Sequence, residues 1–426
     1  MALLASTAAR PDSLSIQDAI RTARSSNPAI RAAHGAVRAA QAEADAAHHG
    51  WLPSLAVTAS AVRTDEPLMA FGLRLDQGQV ATQDFDPARL NHPETLTGFG
   101  AGARLTLPIY AGGRISAGRR ATSAQAGAVE ASWEERQNGI ALGVVEAYFG
   151  TETAEQGLRY AEELSSQARE TERLVRARNQ QGLMLDADAA RATAFRAQSE
   201  AERAAAEQRL ASARSALLLL VGPSANGATL STPLDPPASV ASESGDPSVR
   251  PSVRAAQLQR QAAEAATAIA LGALLPSVGA QAAIDTARSS SLDTGNTWFT
   301  VGLAAQWNLS LGDHDRLRAA EARAAAASDA LDWERSQAQR ELDEARRALT
   351  TGQARIASAQ EAVTASEEAV RLRRSRHAQG LLPLTDVLEA QSALAGAHAL
   401  LLQARLEMRL ARARLSVALG QPVEGE

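Results

Sequence analysis

The chain contains no cysteine, only 3% aromatic residues, and 43 basic residues that are all arginine. Without cysteine there are no disulfides, no thiolate metal sites and, for the chain as it stands, no lipid attached through an N-terminal cysteine. The arginines are interleaved with 48 acids to a formal net charge of −5, so no basic stripe marks a nucleic-acid partner. Apolar content is mostly Ala and Leu, a composition that suits long, thin helices better than a thick core. Its richest apolar run, Ala216 to Val221, falls well short of the roughly 18 residues a spanning helix needs. A membrane crossing by this chain must therefore use strands. Catalytic signals are also missing. The 7 histidines show no metal-ligand spacing. Gly98, Gly100 and Gly102 fail the dinucleotide spacing, and Gly112-Gly113-Arg114 lacks the lysine of a phosphate loop. We expect no enzyme, no cofactor and no metal site. The start, Met1 to Ala9, is apolar and small but has no basic n-region; it is either the end of a trimmed secretion signal or a chance likeness.

What is present is a long repeat. Asn27-Pro28 and Leu52-Pro53-Ser54-Leu55 recur as Arg250-Pro251 and Leu275-Pro276-Ser277-Val278 at an offset of 223. Phe99, Gly112 and Trp133 recur as Phe299, Gly312 and Trp333 at an offset of 200. Gln181-Gly182-Leu183, Asp188 and Gly222 recur as Gln379-Gly380-Leu381, Asp386 and Gly420 at an offset of 198. Three ordered blocks point to one unit duplicated in tandem. This places repeat 1 at 14–222 and repeat 2 at 250–420, after an N-terminal segment 1–13, around a connector 223–249 and before a tail 421–426.

Each repeat carries two segments of period-two hydrophobicity, about 54–64 and 98–108, then about 277–286 and 298–309. Leu55, Val57, Ala59 and Ala61 alternate with Ser54, Ala56, Thr58 and Ser60, and Phe299, Val301 and Leu303 with Thr300 and Gly302. A soluble sheet alternates equally well. Here, however, the second faces carry Gly, Ser, Thr and Gln, the helices offer little apolar surface to cover the first, and each segment has the length of a tilted membrane strand. Trp51, Phe99, Trp298, Phe299 and Trp307 cluster at these segments, as membrane-interface aromatics would. Four strands cannot close a barrel, and open edges in lipid cost several kcal/mol per unpaired group, so the barrel must be shared between chains. Eight strands from two chains or twelve from three are both possible. The linkers Thr64 to Thr97 and Thr286 to Thr297 read as solvent-facing hairpin loops.

Proline is absent from about 113–181 and 313–379, which predicts two helices of roughly 100 Å each. Each ends at a glycine, Gly182 or Gly380, and is followed by a further helix, about 186–221 or 385–419, whose first turn carries Asp188 or Asp386. Leu183, Leu185, Leu381 and Leu382 at these turns are exposed apolar candidates.

With LPSL and LPSV at strand entry, PIYAGGR (Pro108 to Arg114) at strand exit and QGLLPLTDVLEAQ (Gln379 to Gln391) at the second hairpin, the chain resembles the TolC family of outer-membrane channels from Leu14 to Gly420. The resemblance implies a mixed α and β membrane protein: a homotrimer with a twelve-stranded transmembrane β-barrel, four strands per chain, continued by an α-helical barrel in the periplasm of a Gram-negative bacterium. It implies a passive exit duct fed by an inner-membrane pump of RND or ABC type through a periplasmic adaptor (membrane fusion) protein, with outer-membrane lipid around it and no nucleic acid. It also implies that Asp386 and Glu389 ring the periplasmic entrance, and that the turns at Gly182 and Gly380 dock the adaptor. Where family members can latch the entrance with aromatic and basic residues, this chain has His377, Leu381 and Leu382. The competing reading is a soluble periplasmic coiled-coil scaffold or adaptor, which the doubled set of amphipathic strands argues against.

Overall fold

A computed structural model describes residues 13–235 and 246–423. The signal-like start and part of the connector lie outside the described residues. In chain order these form β1 (Ser13–Leu14), α1 (Ile16–Ser26), α2 (Pro28–His48), β2 (Ser54–Thr64), α3 (Pro67–Asp76), α4 (Pro87–Asn91), β3 (Leu96–Tyr110), α5 (Arg114–Gln180), α6 (Asp186–Val221), β4 (Thr229–Leu230), α7 (Pro251–Gly272), β5 (Ser277–Ser289), β6 (Gly295–Gln306), α8 (Leu311–Ala378) and α9 (Leu384–Ala418). They fall into two compact units, one made of Ala39–Gly127 and Leu258–Asp329, the other holding the remaining described residues. No helix among the described residues is long and apolar enough to cross a membrane.

The first unit is built on one antiparallel sheet of order β2-β3-β5-β6, a hairpin from each repeat laid side by side. Residues opposite each other in a ladder share a face, so the register fixes what each face carries. Leu55, Val57, Ala59 and Ala61 pair with Leu105, Ala103, Ala101 and Phe99. Those in turn pair with Ala282, Ile284, Thr286 and Arg288, and Ala282 and Ile284 pair with Val301 and Phe299. One face is thus apolar across all four strands in its first two rows, and Thr286 with Thr297 and then Arg288 interrupt it in the next two. It is also bare in the chain: Val57 is 75% exposed, Phe299 79% and Leu303 75%. The opposite face carries Thr58, Ser60, Gly100, Gly102, Asp285, Gln281 and Thr300. At the exit of β3 the register shifts between Pro108 and Tyr110, where proline has no N–H to give the ladder. Among the described residues, β2 and β6 each keep one edge without a partner strand.

Two linkers differ from the reading as solvated loops. The strands β5 and β6 run on to Ser289 and from Gly295, leaving only 290–294 as a turn. The longer linker is folded. Pro67 opens α3 at the position where its missing N–H costs nothing, and Asp86 caps α4 by accepting from Ala88 N at 3.0 Å. Asp84, buried, accepts from Ala81 N at 2.8 Å and from Arg74 Nη1 at 2.8 Å. Pro67, Pro87 and Asp86, which read as loop punctuation, are helix starts and a cap.

The helical unit has its largest core where α1, α5, α6 and α9 meet, around Ile16, Ile20, Val144, Tyr148, Phe149, Leu217 and Leu402. Burial of side chains this size is worth about 1.5–3 kcal/mol each. Tyr148 Oη donates to Leu14 O at 2.8 Å and accepts from Thr232 N at 2.9 Å, which ties down the parallel β1–β4 bridge. Buried Arg409 donates to the Leu234, Pro233 and Asp235 carbonyls at 3.2, 2.7 and 2.6 Å and lies 4.6 Å over the Phe149 ring. Burial pulls its pKa down, with Arg412 adding to the effect. The connector is therefore strapped to the core over its described part. Arg250, also buried, sits between Glu341 at 2.7 Å and Glu135 at 3.5 Å. Glu172 pairs with Arg176 one turn on at 2.8 Å, and it is buried because Arg196 reaches it from α6, also at 2.8 Å. Asp343 accepts from Gln339 Nε2 at 3.2 Å.

Candidate functional site

The two helical hairpins end in one construction made twice. Gly182 and Gly380 have φ of 73° and 76°, a left-handed conformation that costs other residues energy. Leu183 N donates to Arg178 O, and Leu381 N to Arg376 O, both at 2.9 Å, closing the helix end around the glycine. The turn is then held from inside. Asn179 Nδ2 donates to Met184 O at 3.0 Å and to Asp186 Oδ1 at 2.9 Å; at the equivalent position His377 Nδ1 bonds Leu382 O at 2.9 Å. A carbonyl only accepts, so the His377 Nδ1 carries the hydrogen. Two to three turns earlier, Arg173 clasps Glu170 at 2.9 and 2.6 Å, and Arg371 clasps Glu368 at 2.7 and 2.6 Å. These hydrogen bonds hold both carboxyls below the usual glutamate range.

The hairpins pack on each other. Ala168, Val175, Ala192 and Phe195 of the first bury against Leu384 and Leu388 of the second. Arg191 Nη1 donates to Thr385 Oγ1 at 2.9 Å, and Arg374 Nη2 to Gln167 Oε1 at 2.5 Å. Beyond this packing, Leu183, Leu185 and Leu381 project with 71%, 71% and 68% of their surface exposed, whereas Leu382 is half-buried. Asp386 is half-buried and Glu389 exposed, one helical step apart on the same side of α9. Among the described residues, neither carboxylate has an ion-pair partner within the chain. Arginine is nevertheless close: Arg373 Nη1 donates to the backbone oxygen of Asp386 at 3.0 Å.

A profile of the family described as outer membrane efflux protein matches residues 19–223 and 248–421. The chain belongs to that family. Its membership places it in the outer membrane of a Gram-negative bacterium, with the helical part in the periplasm. Solved structures of the same fold include the outer membrane protein VceC from Vibrio cholerae, with 22% identity and a TM-score of 0.80 over 96% of this chain and 97% of that one. The CmeC outer membrane channel of Campylobacter jejuni has 16% identity and a TM-score of 0.83 over 96% and 86%. The open state of the Neisseria gonorrhoeae MtrE outer membrane channel has 20% identity and a TM-score of 0.77 over 96% and 90%. No curated protein sequence matches the chain.

The bare apolar face of the sheet carries two of the expected interface aromatics. Phe99 and Phe299 lie on that face. Trp298 does not: it pairs with Asp285 on the opposite face, because neighbours on a strand point to opposite sides and Phe299 already takes the apolar one. Trp51 stands in the turn before β2, and Trp307, just after β6, donates from Nε1 to Leu274 O at 3.0 Å. Sequence reading missed Asn179, Arg191 and Arg373. Asn179 had a signal in its equivalence to His377 across the repeat. The contacts of Arg191 with Thr385 and of Arg373 with Asp386 had none, since those partners are on another helix, although the i,i+3 spacing of Arg191 to Asp188, 3.9 Å away, was readable. Among the described residues, no group of three or more His, Asp or Glu could hold a metal ion.

Proposed function

We propose that three copies of the chain close their sheets into one twelve-stranded barrel, and that the resulting pore is the passive exit duct of an efflux or secretion assembly. The observation that carries this is the four-stranded sheet with one bare apolar face and two unpaired edges, β2 and β6. In lipid every edge group must be satisfied, and with an even number of antiparallel strands per chain β6 of one copy meets β2 of the next in the antiparallel sense. Twelve strands leave a passage that eight would fill with side chains.

The chain has no energy-coupling motif, so the driving force comes from an inner-membrane pump of RND or ABC type, reached through a periplasmic adaptor. The hairpin turns are the docking points, with Leu183, Leu185 and Leu381 projecting and Leu382 supporting. Asp386 and Glu389, repeated by threefold symmetry, form an acidic ring at the periplasmic entrance that attracts cations. The neighbouring Arg191 and Arg373 moderate that field. Trp51, Phe99, Phe299 and Trp307 mark the levels of the two membrane interfaces.

Native mass spectrometry of the detergent-solubilised particle tests the assembly: a species near three times the 44.6 kDa chain is expected, and a detergent-free monomer or dimer would refute it. Asp386→Asn with Glu389→Gln tests the ring in planar bilayers. Reduced cation preference is expected, and unchanged selectivity and conductance discard the ring while leaving the duct.

A further inference from the structure

Residues 65–95 lie on the side of the sheet away from lipid. Gly98 pairs with Val62 and Ser289, and so points opposite to Phe99 and Val301. A Cβ on Gly98 would sit 2.5 Å from Leu73 Cδ1 and 2.9 Å from Gln77 Nε2, which means that these two side chains already occupy the space over that glycine. Gln77 is 3% exposed, and its Nε2 donates to Thr97 O at 3.3 Å and to Arg288 O at 3.2 Å, one carbonyl on each of two adjacent strands. Gln79 Nε2 adds a bond to Thr294 Oγ1 in the β5–β6 turn at 2.5 Å. Inside the stretch, the Arg74–Asp84 pair at 2.8 Å and the edge-to-face rings of Phe71 and Phe85 at 5.8 Å brace α3 against the segment that follows. Loops that merely connect strands do not bury an amide and a carboxylate in this way.

We infer that residues 65–95 form an inward-folded cap, latched by Leu73 and Gln77 over Gly98, that narrows the outer mouth of the pore and limits the size of what passes. It is a constriction separate from the hairpin tips and formed by different residues, and it rests on the reading that the sheet closes around a pore. Gly98 is glycine because the latch needs its Cβ position. The latch consists of a few hydrogen bonds and one leucine contact, so it is weak enough to yield to cargo.

The chain has no cysteine, so one introduced thiol is the only thiol to label. Gly302→Cys places it on the pore-facing side of β6, where an added Cβ meets nothing within 4 Å. Intact cells are treated with a bulky, membrane-impermeant maleimide, with and without Leu73→Ala and Gln77→Ala. Loss of the latch is expected to speed labelling about tenfold. A further variant replaces 67–91 with a short Gly-Ser linker. Equal rates in all three backgrounds overturn the cap, and acceleration in the linker variant alone overturns the latch. Ala88→Cys, exposed on the cap itself, separates this from the channel reading. If it labels on intact cells, equal Gly302→Cys rates count against the cap alone; if it does not, the channel reading falls and the cap with it.

Discussion

Val301 and Gly302 are neighbours on β6, and arginine at the two positions should have opposite consequences. Val301 lies on the apolar face opposite Ala282 and is 73% exposed; Gly302 lies on the other face opposite Gln281, with open space where a side chain would begin. β6 has 12 residues, so at about 3.3 Å each and a tilt near 40° it spans roughly 30 Å of membrane thickness, with Val301 close to the middle. An arginine facing lipid at mid-depth costs about 2–4 kcal/mol, hence about 6–12 kcal/mol for the proposed trimer. An arginine facing a water-filled interior costs almost nothing. Val301→Arg should therefore collapse the yield of assembled protein in the outer-membrane fraction and shift refolding into phosphatidylcholine vesicles to much lower urea, while Gly302→Arg assembles normally. Val301→Arg assembling as well as Gly302→Arg would refute the assignment of faces and the membrane location of this sheet with it.

Tyr148→Phe should leave Leu14 O and Thr232 N–H without their shared partner at a cost of about 1–3 kcal/mol, read as faster hydrogen exchange at the Thr232 amide; an unchanged rate would show the β1–β4 bridge holds without the hydroxyl. Gly380→Ala and Gly182→Ala, each forced into a left-handed conformation, should lose about 1–2 kcal/mol of local stability and make the hairpin tips sensitive to limited proteolysis, with no new cleavage as the contrary result. Burial raises the pKa of Glu341, but hydrogen bonds from Gln337 and Arg250 outweigh it and hold the group below its ordinary value. A lowered folded-state pKa stabilises fully above the unfolded value of about 4.3 and is lost as the pH falls through the folded value. Arg250→Met should therefore flatten the acid limb of the melting temperature measured from neutral pH downward, and a limb as steep as before would count against the pair.

The strands, the long helices and their doubling were legible because they rest on local periodicity and on spacing, which a linear string preserves. The folded stretch between β2 and β3 was not. Its prolines and aspartates serve equally as loop breakers and as helix starts, and the choice is made by Gln77 reaching carbonyls at Thr97 and Arg288, the second 211 residues away. Trp298 shows a simpler limit: clustering of aromatics does not carry the alternation that puts it opposite Asp285 and on the other face from Phe299. At the hairpin tips the glycines and leucines stood out from their place in the repeat, while the reach of Arg191 to Thr385 and of Arg373 to the Asp386 backbone crosses between helices and follows no sequence rule. Buried Glu172 shows the same limit, since the spacing to Arg176 was visible and the approach of Arg196 was not.

The two unpaired edges have a genetic consequence. If the barrel is shared as proposed, a chain that cannot complete its own sheet has no folded state in the membrane apart from its neighbours, so insertion and assembly are one event. A subunit with a damaged β2 edge would still offer an intact β6 and be incorporated, leaving a seam that no other copy can close. With three copies sharing the barrel as proposed, and such chains making up half of the pool, random mixing leaves only about one assembly in eight wholly intact. Edge mutations in this protein should therefore be dominant over the wild type, while losses confined to one chain's interior should be recessive.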